Sequence, residues 1–249
     1  MKKIGIAVIT ALVLFTSCKD TKTELPVPPL ASYWKPVVGK YIVYRLDSTV
    51  TTAFGVGLIV HSYRVKDSVS AEITDGAGRK GYSIIRKMTD VNGVGPYVAN
   101  STFSVVPDGD NWIEFTENNL KYMKLRNPIS EGFQWKGNSF IDVTSINSPV
   151  RYLADWMYTY QNVEQPYIVQ NKTYNKTITV LQRDETIPEG PFVNTAYKQR
   201  NYGREVYADS IGLIYKEFLH YIYQPPTSTR AGYYEDESYG VKLEILDHN

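Results

Sequence analysis

Beyond residue 37 the apolar side chains recur at every second position and almost nowhere at helical spacing. That pattern predicts β-strands with one face buried. Ile42, Tyr44 and Leu46 alternate with Tyr41, Val43, Arg45 and Asp47, while Ile59, His61, Tyr63 and Val65 alternate with Val60, Ser62, Arg64 and Lys66. Each pair of faces reads as one buried and one wet. Asp75-Gly76-Ala77-Gly78 offers residues that tolerate positive φ, and alternation resumes over residues 82–88, so a hairpin is expected there. Further strands are predicted over residues 112–115, 121–125, 156–163, 177–182, 211–223 and 241–246, about ten in all. A helix competes at one place: Ser148-Pro149 could cap a turn carrying Val150, Leu153, Ala154 and Met157, whereas Trp156, Tyr158 and Tyr160 alternate as a strand does. So many strands, separated by turns, predict an all-β, predominantly antiparallel, strongly curved sheet in a single domain over residues 37–249. Alternation alone leaves barrel and sandwich both open.

The start of the chain breaks this pattern. Lys2 and Lys3 precede a twelve-residue apolar run at residues 4–15 (IGIAVITALVLF). A membrane-spanning helix needs about 20 such residues, so residues 1–17 read as an export signal. Cys18, the one cysteine in the chain, follows Thr16 and Ser17 directly. It has no internal disulfide partner. The stretch Phe15-Thr16-Ser17-Cys18 resembles the lipobox of bacterial lipoproteins, with Phe15 where Leu is commonest. The resemblance implies cleavage between Ser17 and Cys18 and a membrane anchor of acyl chains, palmitate among them, on Cys18. Lys19 stands where inner-membrane lipoproteins of Gram-negative cells often carry Asp, so resemblance to that sorting rule favours the outer membrane. Lys19-Asp20 resembles part of a surface-export tag; periplasmic and surface placement both stay open. Residues 18–36 then read as a lipidated N-terminus and an extended tether, with four prolines between residues 21 and 36 and the fold beginning near Tyr33 and Trp34.

Composition narrows the function classes. With 43% hydrophobic residues the chain can bury a sizeable core, which excludes disorder over most of its length. Its 27 basic residues against 26 acidic ones offer no surplus for nucleic acid. The 21 tyrosines suit cross-strand packing, with a glycan- or hydrophobe-binding surface as the sharper alternative.

Motifs for catalysis are scarce. Residues 76–81 fit G-x-G-x-x-G, yet an alternating strand follows where a phosphate-binding helix is required. The three histidines, His61, His220 and His248, form no H-E-x-x-H pair, and no metal site or cofactor is expected. His61, sharing a face with Ile59 and Tyr63, reads as a core or pocket histidine. No G-x-S-x-G occurs, and residues 108–111 read as a turn because Trp112 stands where a calcium loop needs an oxygen ligand. No catalytic residue is named. The stretch 211–223, apolar on both faces, suggests a strand between a core and a ligand cavity, so Ile211, Leu213 and Tyr215 join His61 and Tyr63 as the candidate pocket.

Three stretches resemble a family of uncharacterised β-rich envelope lipoproteins: residues 39–48, Thr177-Ile178-Thr179-Val180-Leu181-Gln182, and Glu205-x-Tyr207-Ala208 followed by Gly212-Leu213-Ile214-Tyr215-Lys216-Glu217. The resemblance implies one domain behind a lipobox and assigns no chemistry. The leading expectation is a non-enzymatic, outer-membrane-anchored module that binds an envelope protein or glycan. The alternatives are a carrier of a lipid or other hydrophobe within the curved sheet, and an envelope hydrolase.

Overall fold

The computed structural model describes residues 29–249, so the signal, Ser17 and Cys18 lie outside the described residues. A short helix α1 (Leu30–Tyr33) is followed by β1 (Tyr41–Thr51), β2 (Leu58–Thr74), β3 (Lys80–Asp90), β4 (Val98–Asp108), β5 (Trp112–Glu117), β6 (Leu120–Arg126) and β7 (Gln134–Trp135). After a loop come β8 (Tyr158–Val169), β9 (Lys172–Ile187), β10 (Lys198–Ala208), β11 (Gly212–Gln224), β12 (Tyr233–Tyr234) and β13 (Tyr239–His248). All pairings are antiparallel, in the order β6-β5-β4-β3-β2-β1-β13-β11-β10-β9-β8-β7, with β12 attached to β11. The sheet curls into a nearly closed barrel, which decides between the two architectures that alternation left open.

Local chemistry makes the turns. Asp75 accepts the backbone N–H of Ala77 and Arg79 at 2.9 and 2.8 Å, so the glycine-rich stretch is a hairpin loop leading directly into β3. Two-residue turns at Asn118-Asn119 and Gln170-Asn171 have positive φ at both positions, the conformation whose twist suits flanking strands. The contested segment contains one 3₁₀ turn, Arg151–Leu153, and then strand β8. Strands β4 and β10 have no counterpart in the pattern reading, because their inward positions include polar residues. The fold also begins before Tyr33: Leu30 and Tyr33 are both buried in the main core.

Closure happens where the path's two ends meet. The outer edge of β6 would face water. Instead, the Met123 N–H donates to the Gly137 carbonyl (2.6 Å), and the Trp135 indole donates to the Met123 carbonyl (2.9 Å). The Tyr160 hydroxyl accepts the Arg126 N–H at 2.9 Å and donates to the Arg126 carbonyl at 2.8 Å. Trp135 and Tyr160 touch with ring centroids 4.6 Å apart, so aromatic packing and hydrogen bonds complete the seam together.

One hairpin folds back. Beyond the irregular pairing at residues 161–167, the tip of β8 and β9 packs Tyr167, Val169 and Tyr174 against Val206, Ile214 and Tyr215. Gln170 donates to Glu244 at 2.7 Å, anchoring the tip on β13. The β11 stretch that reads apolar on both faces is therefore covered on both, by the lumen on one side and this arm on the other.

Tyr160→Phe keeps the ring and removes both bonds to Arg126. The expected outcome is a loss of about 1–3 kcal/mol with an unchanged denaturant slope, read from urea unfolding.

Candidate functional site

Closing the sheet encloses a lumen, and six strands place charged side chains in it. Asp67 comes from β2, Arg86 from β3, Glu117 from β5, Lys124 from β6, Glu205 from β10 and Lys216 from β11. Arg86 grips Asp67 through Nε (2.7 Å) and Nη2 (2.6 Å). Lys124 Nζ donates to Glu205 at 2.5 Å, and the Tyr207 hydroxyl donates to the other Glu205 oxygen at 2.7 Å. Between these tight ends the links are loose: Lys216 Nζ lies 3.6 Å from Glu117 and 4.0 Å from Glu205, and Arg86 Nη1 lies 4.0 Å from Glu117. The Lys216 ammonium is thus beyond hydrogen-bond distance of either carboxylate.

Three cations meet three anions, so this septum is electroneutral. Its cations hold Glu117 and Glu205 ionised. Lys216 above all pulls the Glu117 carboxyl down to about 2, against desolvation and with help from Arg86 and Lys124. Burial opposes ionisation of Glu205, but Lys124, Lys216 and the Tyr207 hydroxyl outweigh it and hold its pKa below the usual range. Burial, reinforced by Glu205, drives the Tyr207 phenol well up.

The septum separates two chambers. Both are lined by Arg86, Glu117, Lys124 and Lys216, and from there they diverge along β1, β11 and β13. The upper one takes Ile42 and Tyr44 from β1, Leu213 from β11 and Leu243 from β13; the lower one takes Leu46 and Ser48, Phe218, and Tyr239 and Val241 from the same strands. The upper chamber holds about 410 Å³ and the lower about 440 Å³. Both fall within the ~300–1,000 Å³ typical of small-molecule sites.

The upper walls are apolar and aromatic, with Val69, Ile84, Phe103 and Phe115 between septum and mouth. Trp34, from the segment after α1, packs edge-on against Phe115 at 4.9 Å and roofs part of the chamber. The mouth is lined by Lys35, Val37, Lys40 and Asn249, all exposed.

Ile211 and Leu213 line this upper chamber. Tyr215 does not join them. Tyr207 pairs with Leu213 and Val206 with Tyr215, leaving Ile214 as an extra residue, and this bulge shifts the side-chain alternation by one. Tyr215 consequently meets Tyr167 on the arm side and bonds Glu217 at 2.7 Å. His61 is exposed, contrary to its reading as a core or pocket histidine. The cause is strand length: β2 pairs with β3 only from Tyr63 onward, so residues 58–62 run beyond the barrel wall with β1 as their sheet neighbour. Tyr63 is half-buried and lines neither chamber. His220 also lies outside both; it stacks on Tyr152 at 3.8 Å with Nδ1 2.8 Å from the Asn201 side-chain oxygen, and burial lowers its pKa to about 4.

The septum residues escape the sequence pattern because charged residues at alternate positions read as solvent-facing. A signal was present in Glu205-x-Tyr207, whose spacing puts both side chains on one strand face.

No family model matches the chain, and no curated protein does, so the likeness to envelope lipoproteins has no family match behind it. A solved structure from Bacteroides fragilis NCTC 9343, of a protein described as exported and having a YmcC-like fold, is similar at 14% identity. The alignment covers 85% of this chain and 97% of that one, with a TM-score of 0.31. A score that low carries no inference from one protein to the other.

Two outcomes test the septum. Glu205→Leu strands Lys124 without its counter-charge and is expected to cost about 3–5 kcal/mol in urea unfolding. Because the Glu117 pKa is depressed on folding, its contribution is complete above about pH 4.5 and is lost as pH falls towards about 2. Denaturation midpoints should fall across that window in the native chain and less steeply in Glu117→Gln.

Proposed function

We propose that this chain is a lipid-anchored envelope protein whose barrel receives a small amphipathic molecule. The observation that carries the reading is the upper chamber: about 410 Å³ of space with apolar and aromatic walls over an ionic floor. Such a site rewards a ligand with an apolar body and one hydrogen-bonding end. Lys216, unsaturated by either neighbouring carboxylate, supplies donors at the floor. The wall shields the ligand's body from water, which is what a carrier must do for a hydrophobe.

The proposed anchor fits the geometry of the mouth. Trp34, Lys35 and Val37, which line the chamber, follow shortly after α1. A lipidated Cys18 would lie eleven residues before Pro29, a reach of at most about 40 Å. The mouth would therefore open close to the bilayer, where amphiphiles are available. Lys19 after the cysteine supports the outer membrane as that bilayer. Two or more acyl chains are needed for stable anchoring, since each buried methylene contributes only about 0.8 kcal/mol.

A second reading, docking to another envelope component, is favoured by one surface. At the tip joining β1 to β2, Phe54 is 89% exposed and Val56 68%, and Val60 near the start of β2 is 55% exposed. Phe54 also holds positive φ (62°), a conformation rare for a bulky side chain.

Native mass spectrometry of protein purified from its own host is expected to show a co-purifying small molecule. Leu213→Trp, which fills the upper chamber, should remove that mass while the fold persists by circular dichroism; a ligand-free native protein would refute the carrier reading. Cys18→Ala should abolish labelling by radioactive palmitate and release the protein from the membrane fraction.

A further inference from the structure

The lower chamber is chemically unlike the upper one. Its apolar surface is shared between the rings of Tyr122, Trp156, Tyr158 and Phe218 and the aliphatic side chains of Leu46, Leu120, Leu153 and Val241. Between those rings stand uncharged hydrogen-bonding side chains, Ser48, Asn100, Ser101, Asn118 and Gln182. It opens at a rim that includes Asn100, Asn118 and Tyr239, all exposed.

Two of its lining groups are unsatisfied. Gln182 is 3% exposed and Trp156 is 1% exposed, yet neither the Gln182 carboxamide nitrogen nor the Trp156 indole nitrogen has a hydrogen-bond partner. A buried donor left unpaired costs about 1–3 kcal/mol, and because neither nitrogen has accessible surface of its own, only rotation of the Gln182 carboxamide would turn a donor toward the chamber. The pair is accommodated by the backbone. Gly203 lies against it, and a Cβ there would approach the Gln182 side-chain oxygen at 2.7 Å and the Trp156 ring at 2.8 Å.

We propose that this lower chamber binds an uncharged saccharide, one or two sugar rings in size. The C–H faces of a sugar pack on aromatic rings, and its hydroxyls both accept and donate, so one ligand matches the rings and the amides, Gln182 included. A purely apolar ligand would desolvate the amides around it. An anion would meet Glu117 at an electroneutral floor and gain no net charge there. The volume of about 440 Å³ lies in the range of small-molecule sites. The proposal is independent of what the upper chamber holds.

The test is saturation-transfer NMR on the full chain in a detergent free of sugar, with D-glucose, D-galactose, N-acetyl-D-glucosamine and maltose as probes. At least one probe should receive saturable transfer to its ring protons. Gln182→Leu, which removes the carboxamide, should weaken binding by about tenfold, the worth of one or two hydrogen bonds, and Trp156→Phe, which shrinks the ring a sugar packs on, should weaken it as well. Asn100→Trp at the exposed rim narrows the opening without touching the core, and should abolish transfer even where a buried variant folds poorly. Leu213→Trp, in the other chamber, should leave transfer intact. The assignment is overturned by the absence of saturable transfer from all four sugars, or by transfer that survives all three lower-chamber variants. It is equally overturned if indole, tested as an apolar planar probe, binds there in preference to every sugar.

Discussion

A long antiparallel sheet has two edges, and the interior of this protein exists because those edges meet. The ladder itself does not complete the circle: β7 is two residues long, and the outer edge of β6, opposite β5, has no partner strand among the described residues. What joins them is a Trp indole and a Tyr hydroxyl aimed at main-chain groups of β6, with one backbone bond from Met123 to Gly137. Side chains thus take over a task usually performed by strand pairing. Because both rings also belong to the main core, the seam is held by packing as much as by polarity.

Once a lumen is closed, its filling becomes an electrostatic problem. Aliphatic side chains would satisfy it most cheaply, and buried ion pairs are often no more stabilising than such a filling. Here the middle of the barrel instead carries three basic and three acidic side chains, drawn from six different strands. The tight contacts lie at the two ends of this chain of charges and the slack lies at Lys216. Rigidity at both ends leaves the slack member among the four septum residues that line both chambers.

The architecture was legible because period-two alternation survives wherever one face meets a hydrophobic layer, as in β1 and β3. It failed in β4 and β10, where inward positions such as Ser101 and Glu205 carry polarity into the lumen. The candidate site was legible only in part for the same reason. Ile211 and Leu213 could be read as cavity-lining from their apolar spacing, whereas Arg86, Glu117, Lys124 and Lys216 look like surface residues until the strands that carry them are brought together. Tyr215 was misassigned in facing by a single inserted residue, Ile214, since a bulge leaves no mark on composition. His61 shows the converse: the alternation there is genuine, but the strand outruns the layer it would have packed against.

The septum also determines how material could move through the molecule. Passage from one mouth to the other would require pulling Lys216 away from Glu117 and parting the Arg86–Asp67 or Lys124–Glu205 clasp, leaving desolvated charges exposed to the traveller. Such a barrier turns a tube into two blind cups set base to base. Loading and unloading at one rim would then share a single doorway, so exchange at either end would proceed as a round trip.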